Sequence, residues 1–324
     1  ISSLFHSSIL TYFCCFVCLN FWYHYRRAIL IAVGWTGQWK CTIERDAASF
    51  NIKIGLEHAD FYLLPNERVL LPSVFVIEGG DAAELRRKFR SIILDDFNPI
   101  ANRGGKNTIL PISIQSFDRY FSSAPEWSST PGQLRVLEGA VKCGYFNTLW
   151  LDAAWFKDRF PNGVGNFSFH EGFSNGLKEL SDAVHAAGMK FMLWFEPERI
   201  VRGSEVHREH PEFLLSLKGV DHTFLYNLGD EAARTWLFEK LSQMIRENGI
   251  DNYRQDFNMD PLAFWLENDE EGRTGITEMK YVEGLYKLWD ALKAEFPDLF
   301  IDNCSSGGRR IDFETVRRAV PMWR

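Results

Sequence analysis

Cysteine gives this 324-residue chain no framework: of six, Cys14, Cys15 and Cys18 crowd one end, while Cys41, Cys143 and Cys304 are scattered. Neither the paired spacing of a disulfide scaffold nor a Cys/His zinc set is present. Free thiols are the expectation, and they favour a cytoplasmic over a secreted setting. His170, His185, His207, His210 and His222 show no His-x-His or His-Glu-x-x-His spacing. They read as surface or helix-face residues, so no metal is expected. A Gly-rich phosphate loop of either common pattern is missing, which argues against a nucleotide enzyme. Lys and Arg number 36 against 43 Asp and Glu, a net charge of -7, with no basic cluster to bind phosphates. Nucleic acid is therefore not an expected partner. Long apolar runs are also lacking. Residues 9–23 come nearest and are too short for a spanning helix. The basic residues follow that run, and no small-residue cleavage site is seen, so it is not a secretory signal. Residues 1–28 are set apart, as an atypical apolar leader at a membrane or a foreign segment. The remainder is not expected to need a membrane.

What is present suits a folded enzyme. Hydrophobic residues make up 46% and charged residues 24%, enough to bury a large core. Aromatics reach 15%, with 11 Trp and 27 Phe. Flat rings can receive the C–H faces of pyranoses, although most aromatics serve packing.

Two patterns divide the chain. Over 29–97, β-type runs at 29–33, 39–44, 50–56, 61–64 and 73–77 suggest part of a β-sandwich, followed by a helix over 81–93. Residues 98–107, rich in Asn, Gly and Arg, read as a linker. From there to 324, strands at 109–114, 148–151, 191–195, 252–256 and 299–303 alternate with helices at 130–143, 176–188, 231–248 and 277–295. This predicts an α/β protein, a (β/α)8 TIM barrel that is incomplete, its C-terminal strands missing.

In such a barrel the strands' C-terminal ends carry the chemistry. Polar residues stand there: Asp152, then Glu196-Pro-Glu198-Arg199, then Arg254-Gln-Asp256-Phe-Asn258, then Asp302-Asn-Cys304 with Gly307, Gly308, Arg309 and Arg310. One carboxylate at a strand end is usually a helix cap or surface ion pair. Four in register would converge on one pocket, where carboxylates and Arg can hold hydroxyls. Glycoside cleavage usually needs two carboxyl groups. Asp256 is the candidate nucleophile, with Arg254 and Asn258 beside it to keep it ionised. Glu196 and Glu198 could include an acid or form a structural salt-bridge knot. Gly307 and Gly308 would admit a ring close to the backbone.

Five stretches resemble the family 36 glycoside hydrolases, the α-galactosidase (melibiase) and raffinose-processing group. They are Leu-Asp-Ala-Ala-Trp-Phe (151–156), Phe-Ser-Asn-Gly-Leu-Lys-Glu-Leu-Ser-Asp (173–182), Gly-Met-Lys-Phe-Met-Leu-Trp-Phe-Glu-Pro-Glu (188–198), Tyr-Arg-Gln-Asp-Phe-Asn (253–258) and Cys-Ser-Ser-Gly-Gly-Arg-Arg-Ile-Asp (304–312). The resemblance implies a metal-free and cofactor-free retaining α-glycosidase with a β-supersandwich before its barrel. Asp256 would be the nucleophile, and Asp152 and Trp194 would line the glycone pocket. Arg254 would stand where the family usually has Lys, and Cys304 and Gly307 against the sugar. The expected substrate is an α-linked oligosaccharide or glycoside, and a homo-oligomer is expected from the resemblance alone.

The pattern also departs from the family. Its paired aspartates are here Asp152 and Ala153, its Trp before the nucleophile is Gln255, and an Arg often found ahead of its Leu-Asp-Leu-Ser stretch is not evident near 221–229. The family's acid/base Asp follows a Trp-x-Ser motif, and the sequence stops at Trp323-Arg324, so that residue is expected beyond it. Two readings stay open beside hydrolysis of α-galactosides: an α-glycosidase or transglycosidase of other sugar specificity, and a catalytically incomplete sugar-binding fragment. A metal-dependent hydrolase using Glu196, His170 and Asp256 is disfavoured, because the histidines are not at strand ends.

Overall fold

The computed structural model describes residues 10–13, 19–23, 27–45, 50–99, 110–116, 125–153 and 155–322. Its N-terminal portion contains two three-stranded antiparallel sheets. One orders β1 (Leu10–Phe13), β4 (Gln38–Arg45) and β5 (Phe50–Leu56); the other orders β2 (Leu19–Tyr23), β3 (Arg27–Gly34) and β7 (Ser73–Gly79). Apolar residues run nearly unbroken along β3 because both its faces are covered. Ala28, Leu30 and Ala32 pack with Leu85 and Phe313, while Val33 joins Trp35, Trp39 and Cys41 against Ile276, Met279, Val282 and Tyr286. Helix Ala82–Asp95 supplies Leu85 and starts where the Asp81 carboxylate accepts the Glu84 N–H.

Two expectations change here. Residues 1–28 do not stand wholly apart: β1 and β2 pair with β4 and β3, whose backbone groups would otherwise be open edges. Cys14, Cys15 and Cys18 lie outside the described residues. The strand expected over 61–64 reduces to β6 (Asp60–Phe61), whose partner, β15 (Arg273–Thr274), comes from far along the chain. Arg273 adds a two-bond ion pair with Glu67 there, at 2.6 and 2.9 Å.

The second portion is an α/β arrangement around a five-stranded parallel sheet in the order β8 (Ser113–Ile114), β9 (Thr148–Leu151), β10 (Lys190–Phe195), β14 (Asn252–Gln255) and β16 (Phe300–Asn303). Residues 100–109, covering most of the expected linker and the start of its first strand, lie outside the described residues. Helices Thr130–Cys143, Lys178–Ala186, Glu231–Asn248 and Ile276–Glu295 separate successive strands. Their ends follow local chemistry. Ser129 and Asp230 cap two N-termini with side-chain oxygens, and Gly144 and Gly249 take left-handed conformations at φ 69° and 60° to end the same two helices. Between β10 and β14 the chain makes an antiparallel excursion, β11 (Arg199–Val201), β12 (Leu214–Leu217) and β13 (Val220–Tyr226), ordered β11-β13-β12.

Candidate active site

The sheet's period of two sorts the strand-end residues. Trp194, Arg254 and Asp302 are register partners across β10, β14 and β16. Two residues further on, Glu196, Asp256 and Cys304 point to the same side. The ladder continues past the strand ends, since Asp256 N–H donates to Phe195 O at 2.8 Å and Cys304 N–H to Gln255 O at 2.9 Å.

Asp256 is the most heavily coordinated carboxylate of this group. Its Oδ1 accepts the backbone N–H groups of Phe257 at 2.8 Å, Ser305 at 3.0 Å and Ser306 at 3.1 Å. Its Oδ2 accepts the indole N–H of Trp194 at 3.3 Å. Burial opposes its charge, but hydrogen bonds from the Asn258 side chain, the Phe257 and Ser305 amides and Cys304 outweigh burial and hold the carboxyl below its ordinary value. The result is an ionised, oriented oxygen pair, the state a nucleophile needs at neutral pH.

The two serine amides reach Oδ1 because the backbone turns left-handed over four successive residues: Ser305 at φ 99°, Ser306 at 46°, Gly307 at 81° and Gly308 at 112°. Left-handed serine costs roughly 1 kcal/mol or more. Gly307 has open space where a side chain would begin, with nothing within 4 Å of that point. Ser305 and Ser306 were missed as site residues because they act through amide hydrogens, which side-chain identity does not encode. The Ser-Ser-Gly-Gly run signalled only a turn.

The other expected site residues are placed as follows. Trp194 is buried, with Phe156 near-parallel to it at 6.2 Å and Phe160 edge-on at 5.9 Å. Asp152 follows β9 and accepts the Ala153 N–H at 2.7 Å; Ala153 itself is buried. Arg254 forms a buried ion pair with Asp302 and stacks on Trp150, 4.5 Å from the ring centroid. The charge beside Asp256 is thus itself counterbalanced, and Asp302, expected only as one of the strand-end acids, is the residue that does so. Asn258 accepts the Ser306 hydroxyl at 2.8 Å. Cys304 is buried, and desolvation, followed by the Asp256 charge, pushes its thiol up to about 11.

Glu196 and Glu198 both lie in ion pairs. Glu196 takes the Arg199 Nε–H at 2.9 Å and the Asn258 N–H at 2.6 Å, and burial raises its carboxyl. Glu198 meets Arg310 in two bonds, at 2.6 and 2.7 Å. Gln255 faces away from Asp256, receiving hydrogen bonds from Tyr253 and Trp289 and donating to Glu198 at 2.7 Å. The departure at 255 therefore alters packing on the side of the strand away from Asp256. His170 is occupied on both nitrogens, by Ser128 at 2.8 Å and the Gly172 N–H at 2.9 Å. Among the described residues no group of three or more His, Cys, Asp or Glu is placed to hold a metal ion.

Comparison with known proteins bears on this geometry. The melibiase family model matches residues 131–324, more than half of the chain. An α-galactosidase, Mel36A, from Lactobacillus acidophilus is 27% identical over 305 residues, covering 90% of this chain and 40% of that protein. An Escherichia coli α-galactosidase is 24% identical over 306 residues, covering 90% and 41%. The chain thus spans about 40% of the length of these relatives. Among solved structures, the α-galactosidase from Lactobacillus brevis superposes with a TM-score of 0.74 at 22% identity, covering 90% of this chain and 40% of that one. A variant of AgaA from Geobacillus stearothermophilus, in complex with stachyose, gives 0.76 at 18%, covering 91% and 42%. At these identities the structures speak for the fold alone.

Proposed function

Because the chain belongs to the melibiase family, we propose that it carries the nucleophile-bearing part of a retaining α-glycosidase acting on terminal α-galactosides. The observation that carries this reading is the Asp256 carboxylate, held ionised at the end of β14 by three backbone amides and an indole N–H. On this reading the five parallel strands are an arc of a (β/α)8 barrel spanning 98–324, with a partial β-sandwich over 29–97 before it.

Asp256 Oδ2 attacks the anomeric carbon, the bond to the leaving oxygen breaks, and a carboxylic acid on the opposite face gives that oxygen its proton. This forms a covalent glycosyl-enzyme. The same carboxyl, now a base, takes a proton from water, which attacks the anomeric carbon and releases Asp256. The family resemblance assigns the acid to the Asp of its Trp-x-Ser-Asp motif. The two carboxyl groups of a retaining pair stand about 5–5.5 Å apart. Asp152 and Trp194 line the glycone pocket, Arg254 stands beside the nucleophile with its charge paired to Asp302, and Asn258, Cys304 and Gly307 lie against the sugar.

Ala153 favours a second specificity. One of the family's two hydroxyl-binding carboxylates is replaced by a buried methyl group, which suits an N-acetylated galactose or a raffinose-type oligosaccharide. A panel of chromogenic α-glycosides separates these sugars.

The decisive test uses a fluorinated α-galactosyl donor with an activated leaving group, which needs no general acid for the first step. Mass spectrometry of the labelled chain should place one glycosyl group on the peptide containing Asp256 and none in Asp256→Ala. An intact, unlabelled wild-type chain, or a label elsewhere, would sink the assignment.

A further inference from the structure

Glu198 lies outside the row of Glu196, Asp256 and Cys304, yet it is a buried carboxylate with four hydrogen bonds of its own. It is 0% exposed. Its Oε1 accepts Gln255 Nε2 at 2.7 Å and Arg310 Nη1 at 2.6 Å; its Oε2 accepts Arg310 Nη2 at 2.7 Å and the Tyr281 hydroxyl at 2.5 Å. One side chain thereby joins the end of β10, strand β14, the Ile276–Glu295 helix and the segment after β16.

That last segment contains the left-handed turn. Four successive residues with positive φ, the first two of them serines, do not hold such a conformation by local preference. The turn is fixed from both ends. On its N-terminal side Cys304 N–H is bonded to Gln255 O at 2.9 Å. On its C-terminal side Arg310 is clamped: its guanidinium lies in the Glu198 fork and over the Phe257 ring at 4.2 Å, and its carbonyl accepts from Asn303 at 2.6 Å and Thr315 at 3.0 Å. Between these anchors, Ser305 and Ser306 direct their amides at Asp256 Oδ1.

We propose that Glu198 is a positioning residue for Asp256, acting through Arg310 to hold the 305–308 turn in the conformation that aims two amides at the carboxylate. Gln255, the residue that departs from the family pattern, belongs to the same device, since it bonds Glu198 and its carbonyl anchors Cys304. The importance of this role for catalysis rests on Asp256 being the nucleophile.

The role is read without substrate, from the titration of Asp256 by carboxyl-13C NMR, with Asp256→Asn identifying the resonance. Glu198→Gln removes the charge that holds the fork. Arg310→Lys keeps the charge and removes the fork geometry. Both variants should raise the Asp256 midpoint by roughly half a pH unit or more as the amides withdraw. A loss of stability alone would not move that midpoint. Should Glu198→Gln fail to fold, Arg310→Lys decides. An unchanged midpoint in the folded variants overturns the proposal, even if galactosyl labelling of Asp256 succeeds. A moved midpoint with no labelling in wild type upholds the positioning and overturns only the functional reading.

Discussion

Arg254 and Asp302, opposite one another on β14 and β16, form an ion pair in which each side chain is only 1% exposed. At that depth the cost of removing both charges from water is comparable with their attraction, so the pair itself need not add stability. Removing one partner is different, because it strands a buried charge. Asp302→Ala should lower the free energy of unfolding by about 3 kcal/mol, measured by urea denaturation. Arg254→Met combined with Asp302→Leu should recover at least half of that loss. A single Asp302→Ala variant as stable as wild type would contradict the argument.

Asp256 makes a prediction with a fixed sign. Its folded carboxyl sits below its ordinary value, so it contributes stability above the unfolded pKa of about 3.9 and loses it as pH falls through the folded value. Asp256→Asn, which cannot accept the amides equally well, should be less stable than wild type near pH 7. The gap should close as pH drops below about 4. Thermal melts across that range check the sign; a gap that widens on acidification would refute it.

These residues also show where sequence is informative. Strand Phe50–Leu56 and helices Thr130–Cys143 and Glu231–Asn248 lie where periodicity puts them. The two helices also have caps written beside them, Ser129 with Gly144 and Asp230 with Gly249. Asp256 stood out because it closes a strand in register with acids at three other strand ends, Asp152, Glu196 and Asp302. The β11-β13-β12 excursion and the β6–β15 pair were not legible, since their partners are chosen by tertiary packing across long separations. Arg254 illustrates a finer limit. Its place beside Asp256 is sequential, but its ion pair is with the register neighbour on the next strand, which only the sheet order decides.

Glu278 couples the two halves of the chain to pH. Its Oε1 accepts Trp35 Nε1 at 2.9 Å and Gln38 N–H at 2.6 Å. Burial pushes its carboxyl up to about 8, with Asp269 and Glu57 adding repulsion. A raised carboxyl contributes stability at low pH and loses it as pH rises from the unfolded value of about 4.3 through the folded one. Wild type should therefore lose melting temperature between pH 5 and pH 9 relative to Glu278→Gln, whose amide oxygen still accepts both bonds. Parallel curves for the two proteins would show that Glu278 does not titrate in this window.

Two glycines separate conformational cost from close packing. Gly139 lies in the exposed part of helix Thr130–Cys143, with nothing within 4 Å of the point where a methyl group would sit. Gly139→Ala should stabilise by about 0.5–1 kcal/mol, because alanine surrenders less backbone freedom on entering a helix. Gly284 lies in helix Ile276–Glu295, where a Cβ would fall 1.9 Å from Leu228 O, just after β13. A backbone oxygen cannot rotate away, so the helix itself would have to move. That helix also carries Glu278 and Tyr281, which bond Trp35 and Glu198 respectively. Gly284→Ala should therefore cost roughly 3 kcal/mol and should also raise the Asp256 midpoint, whereas Gly139→Ala should leave that midpoint in place. Urea denaturation and the carboxyl titration, run on both variants, check the pair; equal stability in the two would mean that Leu228 and the helix are not in contact.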